Sequence, residues 1–222
     1  MKFDIEEIAE MFEEKTTSKT GNKEYDDEGF LVIRNLVKDV STLECDIPEK
    51  RGVYLYNGNL NNYEYQEVEE QVVGSVSRYY YPPFKETYFN VKKELEKITG
   101  KKLYPTYYYD RFYFPGQELK KHKDRDACEI SVSVHIASNL KKPWGFWILN
   151  KKDKAYCANL NPGDALLYKG CENTHWRNPM PGRKRNILYK LLGKKQLYYH
   201  QVFFHYVLAD GNRAHCAFDN SR

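Results

Sequence analysis

The sequence predicts a mainly β protein with flanking helices, of the jelly-roll type in its second half. From Leu103 onward, short runs of alternating or β-branched residues follow one another with few helical patterns between them. The segment 161–164, Asn-Pro-Gly-Asp, fits a tight turn, because proline presets φ and glycine allows a positive φ. Evenly spaced short strands are typical of a sandwich or barrel. The predicted strands are 103–114, 130–136, 145–149, 154–160, 165–168 and 197–208.

The first half of the chain carries fewer clear patterns. Apolar residues recur at three- and four-residue steps in 4–14 and in 86–99, which predicts a helix in each segment. A β-branched run at 29–37 predicts a strand, and a shorter strand is expected at 53–56. The rest of 38–82 predicts irregular structure that forms a wall or lid over a site.

A length of 222 residues suggests one full-sized domain. We therefore expect a single domain over 1–222, with helices and supporting strands in 1–102, the β core in 103–208 and a tail in 209–222. A further short helix is predicted at 187–192, inside the β core.

Composition narrows the classes of function. The net charge of +4 is modest, so it does not predict nucleic-acid binding, and nucleic acid is not expected as a partner. Five scattered cysteines without a CxxC pair argue against a disulfide framework or a zinc knuckle. They favour a reducing compartment, which we take to be the cytoplasm. The acidic start has no long apolar run, so neither a signal peptide nor a membrane helix is expected.

One histidine–aspartate pair is the strongest candidate for chemistry. His122 and Asp124 stand two residues apart, so an extended backbone would place both side chains on one face. His175, 51 residues after Asp124, is the candidate for a third ligand. Two histidines and one carboxylate form a facial triad, which holds Fe(II) and leaves coordination positions open.

Neighbouring features strengthen this interpretation. Pro115-Gly116 predicts a turn that brings the strands on either side onto one sheet. Tyr109, Arg111 and Tyr113 alternate, so they share a face of the strand before that turn. His175 follows an apolar strand, where a ligand at the mouth of a barrel could project.

Together these pieces resemble the Fe(II)- and 2-oxoglutarate-dependent oxygenases, most closely the prolyl-hydroxylase-like branch. The resemblance covers roughly residues 103–208. It implies a double-stranded β-helix, which is a cupin-like jelly roll. The matching pieces, in order, are Arg111-Phe-Tyr113, Pro115-Gly116, Leu119, His122-Lys-Asp124, the 161–164 turn, Gly170 and His175-Trp-Arg177.

The resemblance also implies an activity. His122, Asp124 and His175 would hold Fe(II), and 2-oxoglutarate would be the co-substrate, released as succinate and CO2. The expected enzyme is a dioxygenase that hydroxylates a peptide or an amino-acid-type substrate, with proline as the leading candidate and ascorbate as a stimulant. No membrane partner is expected.

The distal carboxylate of 2-oxoglutarate is where the chain departs from the family. The family places an arginine or lysine at a set distance after the distal histidine, on the following strand, and Arg185 stands at that spacing. A final strand at 198–207 would instead present no arginine on its inward face. We therefore expect Tyr113, His135 and Arg185 jointly to hold this carboxylate.

Several alternatives stay open at this point. The lysine-rich run around His122 and Asp124 is also typical of a solvated charged turn. A nucleic-acid demethylase of the same superfamily is compatible with the charge, but the arginine series of that branch is absent after His175. A non-catalytic jelly-roll binding or structural module would keep the fold without bringing the three ligands together. Arg177 is expected to pair with an acidic residue across the mouth rather than to bind a substrate anion.

Overall fold

The structure, a computed structural model, describes residues 22–218 apart from the side chain of Lys190. The helix predicted at 4–14 lies outside the described residues. Within them, the chain forms an eight-stranded sheet and a four-stranded sheet with helices on the outside.

The larger sheet contains, from one edge to the other, β1 (Phe30–Ile33), β10 (Ala165–Tyr168), β7 (Ile130–Ser138), β12 (Tyr199–Leu208), β5 (Leu103–Tyr113), β4 (Val76–Tyr79), β2 (Gly52–Asn57) and β3 (Asn59–Gln66). The smaller sheet contains β6 (Leu119–His122), β11 (His175–Arg177), β8 (Phe146–Leu149) and β9 (Ala155–Ala158). The helices are α1 (Lys23–Glu28), α2 (Lys85–Thr99) and α3 (Arg183–Leu191).

The two sheets face each other across a shared interior. Phe146 and Ile148 of β8 pack in one cluster with Leu166 and Tyr168 of β10. Strands with a hydrophobic inner face must bury that face against a second layer, and each sheet supplies the other's layer. The predicted mainly β jelly roll is confirmed.

Helix α2 covers the opposite face of the larger sheet. The Tyr88 hydroxyl donates to the His205 carbonyl at 2.7 Å, and its ring stacks on Tyr206 at 4.9 Å. The helix matches the one predicted at 86–99, and Gly100 ends it with a left-handed φ of 65°. Because α2 occupies the even-numbered face of β12, the odd-numbered residues of that strand face the interior.

The turn at 161–164 is held by its own aspartate. Gly163 has a φ of 86°, as the turn requires. The Asp164 carboxylate accepts hydrogen bonds from the backbone N–H groups of Asn161 and Asn35, at 3.0 and 2.9 Å, and from Arg34 at 2.7 Å. This turn therefore ties the start of β10 to the chain that follows β1.

The prediction of irregular structure for 38–82 is wrong at two places. Strand β2 corresponds to the strand expected at 53–56, but β3 and β4 also form. Strand β3, the last strand of the sheet, is exposed along its whole length. Because it buries neither face, its sequence lacks the alternation of apolar and polar residues that reveals a half-buried strand.

The turn at Pro115-Gly116 has a different role from the one predicted. Strand β5 before it belongs to the larger sheet, whereas β6 after it belongs to the smaller sheet. Gly116 has a φ of 93°, and its N–H donates to the Met180 carbonyl at 2.8 Å. The prediction that the turn joins two strands of one sheet is therefore wrong. A turn signal in the sequence marks where the chain bends, not which sheet it enters.

An insertion lies between β11 and β12. It contains α3, which begins at Arg183 rather than within the predicted 187–192, and Gly193 follows it with a φ of 63°. Within residues 22–218, no helix has the length and apolar character needed to cross a membrane.

Candidate metal centre

Three side chains meet at one end of the smaller sheet. His122 is the last residue of β6, Asp124 follows it by two residues, and His175 is the first residue of β11. Antiparallel pairing sets His175 directly opposite His122. One ligand atom from each residue lies within 4.8 Å of the others, and Asp124 Oδ1 is 3.4 Å from the Nε2 of each histidine. The structure thus brings together the three residues that the sequence singled out.

Backbone carbonyls set the orientation of both imidazole rings. His122 Nδ1 lies 2.8 Å from the Lys120 carbonyl oxygen, and His175 Nδ1 lies 2.9 Å from that of Asn173. A carbonyl can only accept, so Nδ1 carries the proton in each ring. The Nε2 atom of each ring therefore faces Asp124, and in the neutral ring this atom carries the lone pair with which histidine binds a metal.

The Asp124 carboxylate is held in its ionised form. Its Oδ2 accepts a hydrogen bond from the Ser131 hydroxyl at 3.0 Å, which leaves Oδ1 turned towards the histidines. Burial alone would raise its pKa, but the charge of His175 and hydrogen bonds from both histidines hold the pKa of Asp124 well below its usual range. Burial alone would lower the pKa of His122, but the hydrogen bond and the charge of Asp124 raise it above its usual value.

Gly170 allows the chain to approach Asp124 closely. The Gly170 carbonyl accepts from the Asp124 N–H at 2.9 Å. A Cβ atom at Gly170 would lie 2.3 Å from the Cys128 carbonyl oxygen and 2.5 Å from Asp124 Oδ2. No real Cβ makes such contacts, so only glycine fits here without displacing the carboxylate.

A cavity of about 540 Å³ opens beside the three side chains. One wall is aromatic: Tyr109 stacks on Tyr79 at 4.8 Å and on Phe203 at 4.6 Å, and Tyr107 lies 4.6 Å from the His205 ring. These residues project from the inner face of the larger sheet. The cavity therefore has polar ligand atoms at one side and a flat apolar wall at the other.

The segment after β3 forms another wall of this cavity. Glu69 pairs with the buried Arg111 at 3.3 Å, and Gln71 Oε1 accepts from the same guanidinium at 2.8 Å. Gln71 Nε2 also lies 3.3 Å from His122 Nε2. The 38–82 segment thus supplies the wall that the sequence predicted there, and Gln71 reaches the ligand atoms themselves.

A second group of potential ligands shares Asp124. Asp124, Cys128 and His205 also have ligand atoms within 4.8 Å of one another. However, the Cys128 thiol is 3.0 Å from the Tyr107 hydroxyl, and burial raises its pKa well above the usual value. His205 Nδ1 lies 3.0 Å from the Ser131 hydroxyl. A buried thiol that resists ionisation is a poor metal ligand, so the two-histidine group is the better candidate.

Comparison with known proteins identifies the fold. No family model matches the chain, and no curated protein matches it in sequence. Among solved structures, a prolyl hydroxylase from Trichoplax adhaerens, in complex with a peptide fragment of hypoxia inducible factor, has a TM-score of 0.56 at 13% identity and covers 99% of this chain and 98% of that one.

Two further structures agree. HygX from Streptomyces hygroscopicus, with nickel and 2-oxoglutarate bound, has a TM-score of 0.57 at 10% identity. The match covers 84% of this chain and 85% of the HygX chain. An oxidoreductase of the 2OG-Fe(II) oxygenase family from Burkholderia pseudomallei has a TM-score of 0.52 at 10% identity. The match covers 82% of this chain and 87% of that chain. This chain has the fold of the 2OG-Fe(II) oxygenases.

In this oxygenase fold, two of the three residues expected at the co-substrate lie in the interior. Tyr113 is fully buried at the end of β5, and its hydroxyl accepts from Arg111 at 3.4 Å. His135 of β7 donates from Nδ1 to the Leu160 carbonyl at 2.9 Å and stacks on Tyr199 at 4.2 Å. Both therefore belong to the inner face of the larger sheet.

Arg185, the third expected residue, lies elsewhere. It stands on α3, in the insertion outside the two sheets, and lines a separate surface depression with Leu140 and Pro181. The residue at the expected spacing after His175, Arg185, therefore lies on a helix and not on an inward-facing strand.

Arg177 lies in the interior rather than at the mouth of the cavity. It is 1% exposed, and no carboxylate within residues 22–218 lies at ion-pair distance from it, so the predicted pairing with an acidic residue across the mouth is wrong. The signal was available, because a residue two positions after His175 on a strand must share its face.

Proposed function

We propose that this protein is a dioxygenase that uses Fe(II) and 2-oxoglutarate to hydroxylate a peptide or an amino-acid-type substrate, with proline as the leading candidate. The observation that carries the proposal is the convergence of His122, Asp124 and His175 beside a cavity of about 540 Å³. The fold of the 2OG-Fe(II) oxygenases supports it independently.

The three side chains fit Fe(II). Two neutral imidazoles and one carboxylate are the donor set of the facial triad, and both Nε2 atoms and Asp124 Oδ1 face one another. A bound iron and 2-oxoglutarate would supply oxidative decarboxylation of the keto acid by dioxygen to succinate and CO2, with one oxygen atom entering succinate and the other entering the hydroxylated C–H bond. The proposed role of His122, Asp124 and His175 is to hold the metal.

The surrounding residues hold the ligands in place and shape the cavity. The carbonyls of Lys120 and Asn173 keep the ring protons on Nδ1, and Ser131 orients the Asp124 carboxylate. No side chain beyond the metal ligands needs to exchange a proton with the substrate in this scheme.

The aromatic wall supports a proline-like substrate. Proline-containing peptides dock in aromatic-lined grooves in other proteins, and Tyr79, Tyr109 and Phe203 line this cavity. The prolyl hydroxylase from Trichoplax adhaerens, which has the same fold, binds a peptide. Five scattered cysteines without a CxxC pair support a reducing compartment, and we propose the cytoplasm.

Succinate release tests the proposal. Protein loaded anaerobically with Fe(II) would be exposed to air with 2-oxoglutarate and ascorbate, alone and with a panel of proline peptides, free amino acids and methylated oligonucleotides. We expect succinate above background, increased by a proline peptide. Asp124→Asn should reduce it to background because the metal loses its only anionic ligand, whereas Asp126→Asn, an exposed carboxylate in the same loop, should not.

The outcomes separate the alternatives. Stimulation by the oligonucleotides alone would replace the hydroxylase by a demethylase. The absence of succinate with every compound, from protein shown to retain its iron, would contradict catalysis and favour a binding module.

A further inference from the structure

Three arginines among residues 22–218 are almost fully buried, and they differ in one respect. Arg78 contacts the Asp110 carboxylate at 2.6 Å, and Arg111 contacts that of Glu69 at 3.3 Å. Arg177, equally buried, has no carboxylate at ion-pair distance among residues 22–218. Two of these three buried guanidinium groups are thus neutralised by the protein, and the third is not.

The groups around Arg177 are neutral. Its guanidinium donates to the Gln201 side-chain oxygen at 2.6 Å, to the Tyr199 hydroxyl at 3.3 Å and to the Trp144 carbonyl. The rings of Trp144, Phe146 and Tyr199 surround its Cζ at 4.6 to 5.0 Å. A guanidinium removed from water without a counter-charge is strongly disfavoured, so this position is suited to receive an anion.

Hydrogen-bond donors for an anion are already in place. Arg177 Nε and Gln201 Nε2 are both buried and have no partner. Gln201 now accepts from Arg177 through its oxygen, which a carboxylate oxygen can replace because it is the stronger acceptor. Rotation of the released amide would turn its NH2 group towards the same carboxylate. A buried donor needs a bound ligand or an ordered water as its partner, and two such donors beside one cation without a counter-ion favour an anion.

Arg177 lies two residues after the proposed metal ligand His175 on strand β11. His175 and Arg177 are alternate residues of β11, so their side chains leave the same face about 7 Å apart. An extended five-carbon diacid has a similar separation between its two ends. Phe146 lies beside both, with its ring 5.6 Å from the ring of His175 and 5.0 Å from Arg177 Cζ.

We propose that Arg177 is the residue that binds the distal carboxylate of the keto acid, with Tyr199 and Gln201 as its neutral partners. This inference rests on the proposed function. Tyr113 and His135, expected at this carboxylate from the sequence, border the same group through Trp144 and Tyr199, at ring distances of 5.1 and 4.2 Å. Arg185 has no part in it.

A comparison of two keto acids tests this assignment by binding alone. Mn(II)-loaded protein would be titrated calorimetrically with 2-oxoglutarate and with 2-oxobutyrate, which lacks the distal carboxylate. We expect wild type to prefer 2-oxoglutarate by about 10- to 100-fold, the range for charge-assisted hydrogen bonds to a buried group. Arg177→Met should abolish the preference and leave Mn(II) and 2-oxobutyrate binding unchanged, while Arg185→Met should retain it.

Other results would overturn the assignment. An Arg177→Met variant that keeps the preference, or an Arg185→Met variant that loses it, places the anchor elsewhere while leaving the proposed function intact. Equal loss of both keto acids in Arg177→Met would also overturn it, because the effect would not depend on the distal carboxylate. Wild type that binds Mn(II) but neither keto acid would remove the proposed function and the anchor together.

A second measurement needs no apolar variant at this buried position. In the Zn(II)-loaded wild type, the Nε–H resonance of Arg177 can be assigned by its absence from Arg177→Lys. We expect 2-oxoglutarate, but not 2-oxobutyrate, to shift this resonance, because Nε gains its first acceptor. A resonance that stays in place at saturating 2-oxoglutarate would overturn the assignment.

Discussion

Gly170 has no room for a side chain, because it lies against the Asp124 carboxylate. A Cβ atom there would come within 2.5 Å of Asp124 Oδ2. We therefore expect Gly170→Ala to displace the carboxylate and to weaken metal binding by about 10- to 100-fold, the usual effect of disturbing groups that position metal ligands. Competition with a fluorescent chelator measures this affinity.

Gly58→Ala is a suitable control for this change. Gly58 also has a positive φ, of 83°, but a Cβ atom there meets nothing within 4 Å. The control should lose some stability through backbone strain and keep its metal affinity. Equal affinity in the Gly170 variant and the wild type would show that the contact with Asp124 is unimportant for the metal.

His135 makes the stability of the fold sensitive to mild acid. Burial, reinforced by the charge of Arg177, lowers its pKa to about 4, while an unfolded histidine titrates near its ordinary value. Between those two pH values the unfolded chain binds a proton that the folded chain excludes, so stability falls as the pH drops. The charged and titratable groups that act on His135 are Arg177 and His200.

Urea unfolding at pH 7 and at pH 4.5 tests this dependence. His135→Gln should lose less stability on acidification than wild type, by on the order of 2 kcal/mol, because one buried histidine has been removed. The exposed His215→Gln should behave as wild type. An identical loss in wild type and His135→Gln would mean that His135 is charged in the folded protein.

At the scale of elements, a buried ionic group connects three strands of the larger sheet. Arg78 of β4 donates to both oxygens of Asp110 on β5, at 2.6 to 3.1 Å, and His200 of β12 lies 2.7 Å from the same carboxylate. Removing one member of such a group leaves the other charge buried and unpaired. The three strands carry Arg111 and the inner face of the candidate site on their opposite side.

Asp110→Asn should therefore destabilise the protein by about 3 to 5 kcal/mol, because the charge of Arg78 is left without its counter-ion. Urea unfolding at neutral pH measures the change. Asp27→Asn, which alters an exposed carboxylate on α1, should change stability by less than about 0.5 kcal/mol. A similar small change for Asp110→Asn would show that the ionic group contributes little to holding the strands together.

Sequence patterns predicted the long buried elements and missed the exposed strand β3 and the short strand β4. Helix α2 and strands β5, β7 and β12 each place apolar residues against the core, and the sequence shows this directly. Strand β3 is exposed on both faces, so no such pattern exists in it. The local sequence pattern also could not predict which sheet β6 joins, because a turn does not specify the partner strand.

The candidate site was predictable to the extent that it depends on spacing. His122, Asp124 and His175 were found because an alternating pair and a distant histidine match a known ligand series. Arg185 was placed by spacing alone, which failed to account for an inserted helix. Arg177 could be placed on the face of His175 from alternation, but its lack of a counter-ion depends on what surrounds it in three dimensions.

At the scale of the whole molecule, the two sheets enclose the candidate site from opposite sides. The smaller sheet supplies the proposed metal ligands and Arg177, and the larger sheet supplies the aromatic wall. The segment after β3 closes a further side through Glu69 and Gln71. The proposed activity therefore requires the complete fold, since no single sheet carries both the metal ligands and the wall of the cavity.

Anaerobic titration with Fe(II) and 2-oxoglutarate tests whether His122, Asp124 and His175 hold the metal beside the keto acid. A keto acid that chelates Fe(II) on two histidines and a carboxylate gives a visible absorption band that neither component gives alone. We expect this band in the wild type and in His215→Ala, and we expect its loss in His122→Ala. A wild type that shows no band with both components present, or a His122→Ala variant that keeps it, would contradict the account.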